Sequence, residues 1–196
     1  MNSNQLNLFI YLIVLTGLML GMQLSPWVSI LNWTPQGIVQ HEYWRLITAH
    51  FVHTNGWHLA MNLAALYLIS WIFRDQFAVK RFTALLLGLS LFISLLLPFT
   101  TLTSYVGLSG VLHGLFAYYC IQEIIGKRKT SWLLLLGLVA KISMEQIQGG
   151  SALSQSLIQA QVAVEAHLFG VIGAVLCAFV HWLIRTRSKH SSSFRK

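Results

Sequence analysis

Charge is scarce in this chain: 9% of its 196 residues carry it, against roughly 25% in soluble domains. With a mean hydropathy of +0.65, a soluble globular domain is excluded and an integral membrane protein is expected. Negative charge is scarcer still, with five acidic residues and a single aspartate, Asp75. The only cysteines, Cys120 and Cys177, fall deep in apolar runs, where small apolar packing is the default and a structural disulfide is not expected. The N-terminus "MNSNQLNLFIYLIV" lacks a basic leader and a small-residue cleavage site. Its apolar run therefore reads as a retained first helix rather than a signal peptide. The sequence shows no internal repeat, and a single domain is expected.

What the sequence does have is apolar runs of membrane-spanning length, at about 8–24, 57–73, 82–100, 105–124, 131–147 and 164–184, against the roughly 17 to 25 residues that a membrane helix needs. The expectation is an all-α, polytopic bundle of six transmembrane helices over residues 1–184, followed by a polar, basic and disordered tail over 185–196. The fifth run is the weakest, because Lys141 and Glu145 interrupt it. The net charge of +8 does not point to nucleic acid, because the basic residues follow the runs. Arg74, Lys80 and Arg81 lie between spans two and three, Lys127, Arg128 and Lys129 between four and five, and Arg185, Arg187, Lys189, Arg195 and Lys196 after six. By the positive-inside rule that side and both termini are cytoplasmic, and the expected partner is membrane lipid.

Polar side chains within such runs are costly, so each is a candidate for function. His58 and Asn62 open span two, Ser109 and His113 open span four, and His167 opens span six. In the six-span topology all five lie just below the extracytoplasmic surface. Residues four apart share a helical face, which pairs His58 with Asn62 and Ser109 with His113. Gly110 with Gly114, and Gly170 with Ala174, form small-x-x-x-small pairs that let helices approach closely in lipid. Such packing would bring Ser109 within reach of His167.

A serine becomes a nucleophile when a neutral imidazole accepts its proton. Asp75 is expected on the cytoplasmic side, so no Ser-His-Asp triad can form and a Ser109–His167 dyad remains. Asn62, His58 and the Ser109 N–H are candidate donors to the oxyanion. The alternative for a chain with eight histidines is metal or haem. The H-E-x-x-H pattern is absent and no acidic residue lies near "HTNGWH" to complete a hydrolytic zinc site, although two histidines on facing helices could hold a haem. No metal and no cofactor is expected. Glu165, two residues before His167 and on another face, reads as a loop or interface residue.

"GLSG" at 107–110, "HTNGWHLAMN" at 53–62 and "AHLFGVIGA" at 166–174 resemble the rhomboid family of intramembrane serine proteases, and the resemblance covers nearly the whole chain. Trp44 and Arg45 also resemble the "WR" of the rhomboid first loop. The resemblance implies Ser109 as nucleophile, His167 as general base, and His58 with Asn62 as oxyanion donors. Gly107, Gly110, Gly114, Gly170 and Ala174 would shape the site. Typical rhomboids carry an aromatic, usually Tyr, four residues after the serine, stacked on the catalytic histidine. Here that position is His113, and "GLSGVLHG" in a compact chain is similar to the rhombosortase subgroup. His113 would then stack on His167, hydrogen-bond it, or contact substrate.

The resemblance further implies a bacterial inner-membrane enzyme whose site opens to the extracytoplasmic side. Its substrates would be single-span proteins that end in Gly-Gly, a hydrophobic helix and a basic tail. Two other readings stay open: a transferase that resolves the acyl-enzyme with a lipid head-group amine, and a non-catalytic protein that binds membrane helices.

Overall fold

The computed structural model describes residues 3–24 and 26–193, and it is all-helical. The long helices are α1 (Ser3–Met22), α5 (Gly56–Ile72), α6 (Val79–Leu96), α7 (Ser109–Ile125), α8 (Ser131–Gln148) and α10 (Val164–Ser193). Short helices α2 (Trp27–Leu31), α3 (Pro35–Val39) and α4 (Arg45–Thr48) fill the segment between α1 and α5, and α9 (Ala152–Ile158) lies between α8 and α10. Among the described residues, three segments are long and apolar enough to cross a membrane, Gln5–Met22, Val79–Phe99 and Val164–Arg187, and Gly56–Ile72 is a shorter apolar helix. The remaining expected spans fall on α7 and α8, which are not among these segments; both carry polar side chains, among them Ser109, His113, Lys141 and Glu145 of the site described below. Helix α10 continues to Ser193, where the sequence led us to expect a disordered tail from 185. A helix already nucleated extends at little cost. Residues 194–196 of that tail lie outside the described residues.

Local chemistry sets the helix ends. Thr34 caps α3, accepting from Gly37 N at 3.0 Å with Pro35 in the first turn. Asn55 caps α5 by accepting from His58 N at 2.9 Å, and Ser151 caps α9 by accepting from Ser154 N at 3.1 Å. Such side-chain oxygens satisfy N–H groups that the first turn leaves unpaired. Gly149, at φ 79°, follows the last turn of α8, and this left-handed backbone turns the chain away.

Helix α7 is the centre of the bundle. Its residues Val111, Leu115, Ala117, Tyr119 and Cys120 are fully buried, and α5, α6, α8 and α10 pack around it. Outward faces are apolar instead: Phe9, Ile13 and Val14 on α1, and Val175, Phe179 and Val180 on α10, are all exposed, the pattern of a lipid-facing surface. Because lipid tails are as apolar as these side chains, tight contact between helices must supply much of the cohesion. Both cysteines are free, in keeping with a packing role.

That contact is closest between α7 and α10, where small residues interlock. A Cβ on Gly170 would lie 2.0 Å from the Gly110 carbonyl oxygen, one on Gly114 2.6 Å from that of Gly170, and one on Gly110 2.7 Å from that of Ala166. Ala174 is fully buried one turn further on. At the far end of α7, buried Glu123 accepts from Arg128 Nη1 at 2.6 Å and from Ser131 Oγ, bracing the turn into α8.

The segment between α1 and α5 folds as a built loop around Arg45. Its guanidinium donates to Glu42 Oε2 at 2.6 Å and to the Asn32 carbonyl and side-chain oxygens at 2.6 and 2.8 Å. Trp33 and Tyr105 pair as an isolated antiparallel bridge, and Gly107 N donates to Ala49 O at 3.0 Å. The loop is thereby tied to the strip of chain that leads directly into Ser109.

Candidate active site

Helices α5, α7 and α10 all begin at the same end of the bundle, and α8, running opposite to α7, ends there. Ser109, the first residue of α7, is half-buried. Its Oγ lies 2.8 Å from His167 Nε2, and His167 is almost fully buried in the first turn of α10. The interlocked glycines hold the two helices at the separation this contact needs. The structure therefore brings together the two residues that the sequence singled out.

His113 stacks on His167, with ring centroids 4.1 Å apart and planes inclined by 21°. Its Nδ1 donates to the Ser109 carbonyl at 2.7 Å, which fixes the tautomer and leaves Nε2 without a proton. Of the three roles open to His113, the structure displays stacking, with the side chain also lining the cavity.

His58 and Asn62 sit on the adjoining face of α5, both buried. Asn62 Nδ2 donates one proton to the His58 carbonyl at 2.9 Å, which leaves its second N–H for another acceptor. The His58 ring rests on Gly107, where a Cβ would lie 2.7 Å from Cε1 and Nε2; Gly107 also holds φ at +115°. Both constraints favour glycine. Thr54 Oγ1 lies 2.7 Å from the Ile158 carbonyl and 3.2 Å from His58 Nδ1. The Thr54 backbone N–H also donates to His58 Nδ1, at 3.5 Å, so Nδ1 is an acceptor. In the neutral ring the proton then sits on Nε2, which makes His58, like Asn62, a side chain with an N–H to offer.

Sequence reasoning missed one residue. Glu145, in the last turns of α8, accepts from His167 Nδ1 at 2.8 Å through Oε2, while its Oε1 accepts from Lys141 Nζ. The side chains of His167 and Glu145 are 5% and 13% exposed, so the contact is shielded from water. Excluding an aspartate did not exclude an acid. A signal was available, because an ionisable pair inside an apolar run is itself a functional marker. Glu165 lies in the first turn of α10.

His113, Glu145 and His167 also place one potential metal-ligand atom each within 4.8 Å of one another. In the observed arrangement both His167 nitrogens are engaged, one by Ser109 and the other by Glu145. A cation on Nδ1 would have to displace the Glu145 hydrogen bond. The donor set as arranged suits proton transfer.

The site opens into a cavity of about 600 Å³ lined by His58, Asn62, Ser109, His113, Glu145 and His167 among others. An apolar groove of about 490 Å³ continues from it between α5 and α8, past Leu68, Ile72, Phe116, Leu133 and Leu138. The groove and cavity share His113 and Lys141.

Comparison with known proteins places the chain in a family. The chain is 26% identical over 151 residues to "Putative rhomboid protease YdcA" of Bacillus subtilis (strain 168), covering 74% of this chain and 70% of that protein. Residues 40–184 match the Rhomboid domain family, a span that holds every site residue named above, and the chain accordingly belongs to the rhomboid family of intramembrane proteases.

Proposed function

We propose that this protein is an intramembrane serine protease of six spans, with Ser109 as nucleophile and His167 as general base. It would act in the bacterial inner membrane with both termini cytoplasmic and the site facing outward. The observation that carries the reading is the 2.8 Å contact of Ser109 Oγ with His167 Nε2 at a cavity into which His58, Asn62, His113 and Glu145 also face, within a largely apolar bundle. Water is scarce in hydrocarbon, and that cavity is where hydrolytic water can collect.

The chemistry follows from the placement of protons. His167 Nε2, unprotonated in the resting state, takes the Ser109 proton as Oγ attacks the scissile carbonyl. Charge then develops on the carbonyl oxygen, to be met by the second N–H of Asn62 and the N–H of Ser109, which opens a helix and has no partner within it. The imidazolium returns its proton to the leaving amine, and water resolves the acyl-enzyme by the reverse sequence.

The substrates we propose are single-span proteins that present Gly-Gly at the outer end of a C-terminal hydrophobic helix with a basic tail. A helical backbone hides its carbonyls, and each glycine weakens a helix by roughly 1 kcal/mol relative to alanine, so such a pair can unwind into the cavity. The groove between α5 and α8 offers an apolar path for the rest of the helix. The rhombosortase-like His113 supports the same substrate. A reporter with Gly-Gly at the outer interface should be cut, and the same reporter with Leu-Leu in place, or with Gly-Gly moved to mid-helix, should not. Efficient cutting of the Leu-Leu form overturns the substrate assignment. Mass spectrometry of the product's new C-terminus separates hydrolysis, which leaves a free acid, from transfer to a lipid amine, which leaves an adduct. Binding without any product would mark a non-catalytic helix-binding protein.

A further inference from the structure

We propose that Glu145 is a positioning residue for catalysis, fixing the tautomer of His167 and balancing its charge, and that Lys141, paired to the second oxygen of Glu145, offsets part of that carboxylate's pull on the ring. The inference rests on the assignment of Ser109 and His167 above and extends it from two residues to four.

A neutral imidazole carries one proton. For Nε2 to accept from Ser109, that proton must sit on Nδ1, where it needs an acceptor. Glu145 Oε2, at 2.8 Å, is that acceptor. During acylation the Ser109 O–H bond breaks as the Oγ–carbon bond forms, and the proton passes to Nε2. The positive charge then created on the ring lies against the Glu145 carboxylate, which keeps its own charge throughout. On collapse of the tetrahedral intermediate the proton leaves Nε2 for the departing amine, and the carbon–nitrogen bond breaks. Glu145 neither gains nor loses a proton at any step.

An ionised carboxylate in apolar surroundings is expensive unless it is paired and hydrogen-bonded. Both oxygens of Glu145 are so engaged, each by a different partner. Lys141 lies one turn before it on α8, and its side chain is 50% exposed, so it reaches from the groove to the carboxylate. The titratable groups around His167 are Glu145 and Lys141 on α8, His113 on α7, His58 on α5 and Glu165 on α10 itself; of these, Glu145 is the one that hydrogen-bonds His167. His113 stacks on the ring, which fixes its plane but supplies no acceptor for Nδ1.

The test uses the full chain in proteoliposomes, with the pH dependence of fluorophosphonate labelling at Ser109 as the readout. Glu145→Gln should slow labelling at the optimum by more than about 10²-fold, because the wrong tautomer becomes accessible. It should also move the acid limb of the profile to lower pH, because the imidazolium loses its counter-charge. Glu145→Asp should recover part of the rate. Lys141→Gln should move the acid limb the other way, to higher pH, because the carboxylate then acts on the ring uncompensated. A purely structural role would lower rates without these opposite displacements. Wild-type rate and profile in Glu145→Gln, or the same displacement in both variants, would overturn the proposal. Should Glu145→Gln fail to insert, the direction of the Lys141→Gln displacement decides. Labelling that persists in Ser109→Ala would instead refute the nucleophile assignment on which all of this rests.

Discussion

Replacing Gly170 with alanine tests whether the close approach of α7 and α10 is what assembles the site. The added Cβ would lie 2.0 Å from the Gly110 carbonyl oxygen, where ordinary contact begins at 3.4 Å. The obstacle is backbone on a packed helix, so relief has to come from moving the helices apart by up to about 1.4 Å, the difference of those two distances. His167 lies one turn before Gly170, and Ser109 is next to Gly110. Much of that displacement therefore falls on the 2.8 Å hydrogen bond between Ser109 and His167. A misplacement of about 1 Å costs on the order of 10²-fold in rate. Fluorophosphonate labelling of Ser109 should slow by that factor while α-helical content is retained. Gly17→Ala and Gly88→Ala, where an added Cβ meets nothing within 4 Å, serve as controls and should label at the wild-type rate. Wild-type labelling in Gly170→Ala would refute the argument that small residues at this contact set the dyad's geometry.

Three further outcomes follow from the site and its supporting loop. Asn62→Ala should lower turnover on the order of 10²-fold as a principal oxyanion donor is lost, and His58→Ala should lower it as well, with both measured on a cleaved reporter. His113→Leu should impair turnover, because it removes both the stacked ring and the Nδ1 donor to the Ser109 carbonyl; His113→Tyr should restore part of it, and an unimpaired leucine variant would show the stack to be dispensable. His53 lies in the loop before α5, where burial foremost, and then the proximity of His58, lowers its pKa from 6.5 to about 3. Its folded form is then neutral while the unfolded chain takes up a proton below pH 6.5, so its contribution to stability is complete above 6.5 and is lost as pH falls towards 3, at about 1.4 kcal/mol per pH unit. Neither ring nitrogen of His53 has a hydrogen-bond partner, so His53→Leu should flatten the acid dependence of thermal unfolding in detergent without the loss of a bond.

Much of the site was legible because it depends on depth along helices and not on fine geometry. Apolar runs and basic segments fixed an order of spans, and that order alone put the first turns of α5, α7 and α10 at one end, carrying His58, Asn62, Ser109, His113 and His167. The same reasoning could have found Glu145, since α8 runs back towards that end and Glu145 lies near its finish. The residue was read instead as a flaw in an apolar run, and the search for an acid stopped at aspartate. Short helices α2, α3, α4 and α9 were beyond a reading based on long apolar periodicity, because elements of seven residues or fewer owe their form to caps and to tertiary anchors. Arg45 is such an anchor, and its partners lie up to 16 residues away along the chain. The tautomer of His58 was equally out of reach, because it depends on the backbone N–H of Thr54 that donates to Nδ1.

The central claim is that Ser109 is the nucleophile of an intramembrane protease, and the most direct measurement is peptide mapping by mass spectrometry after fluorophosphonate treatment, run alongside cleavage of a Gly-Gly reporter. The account predicts a single adduct on Ser109 in the wild-type chain, and neither adduct nor cleavage in Ser109→Ala or His167→Ala variants that remain folded and inserted. An adduct on another residue, or cleavage that survives in Ser109→Ala, would contradict it.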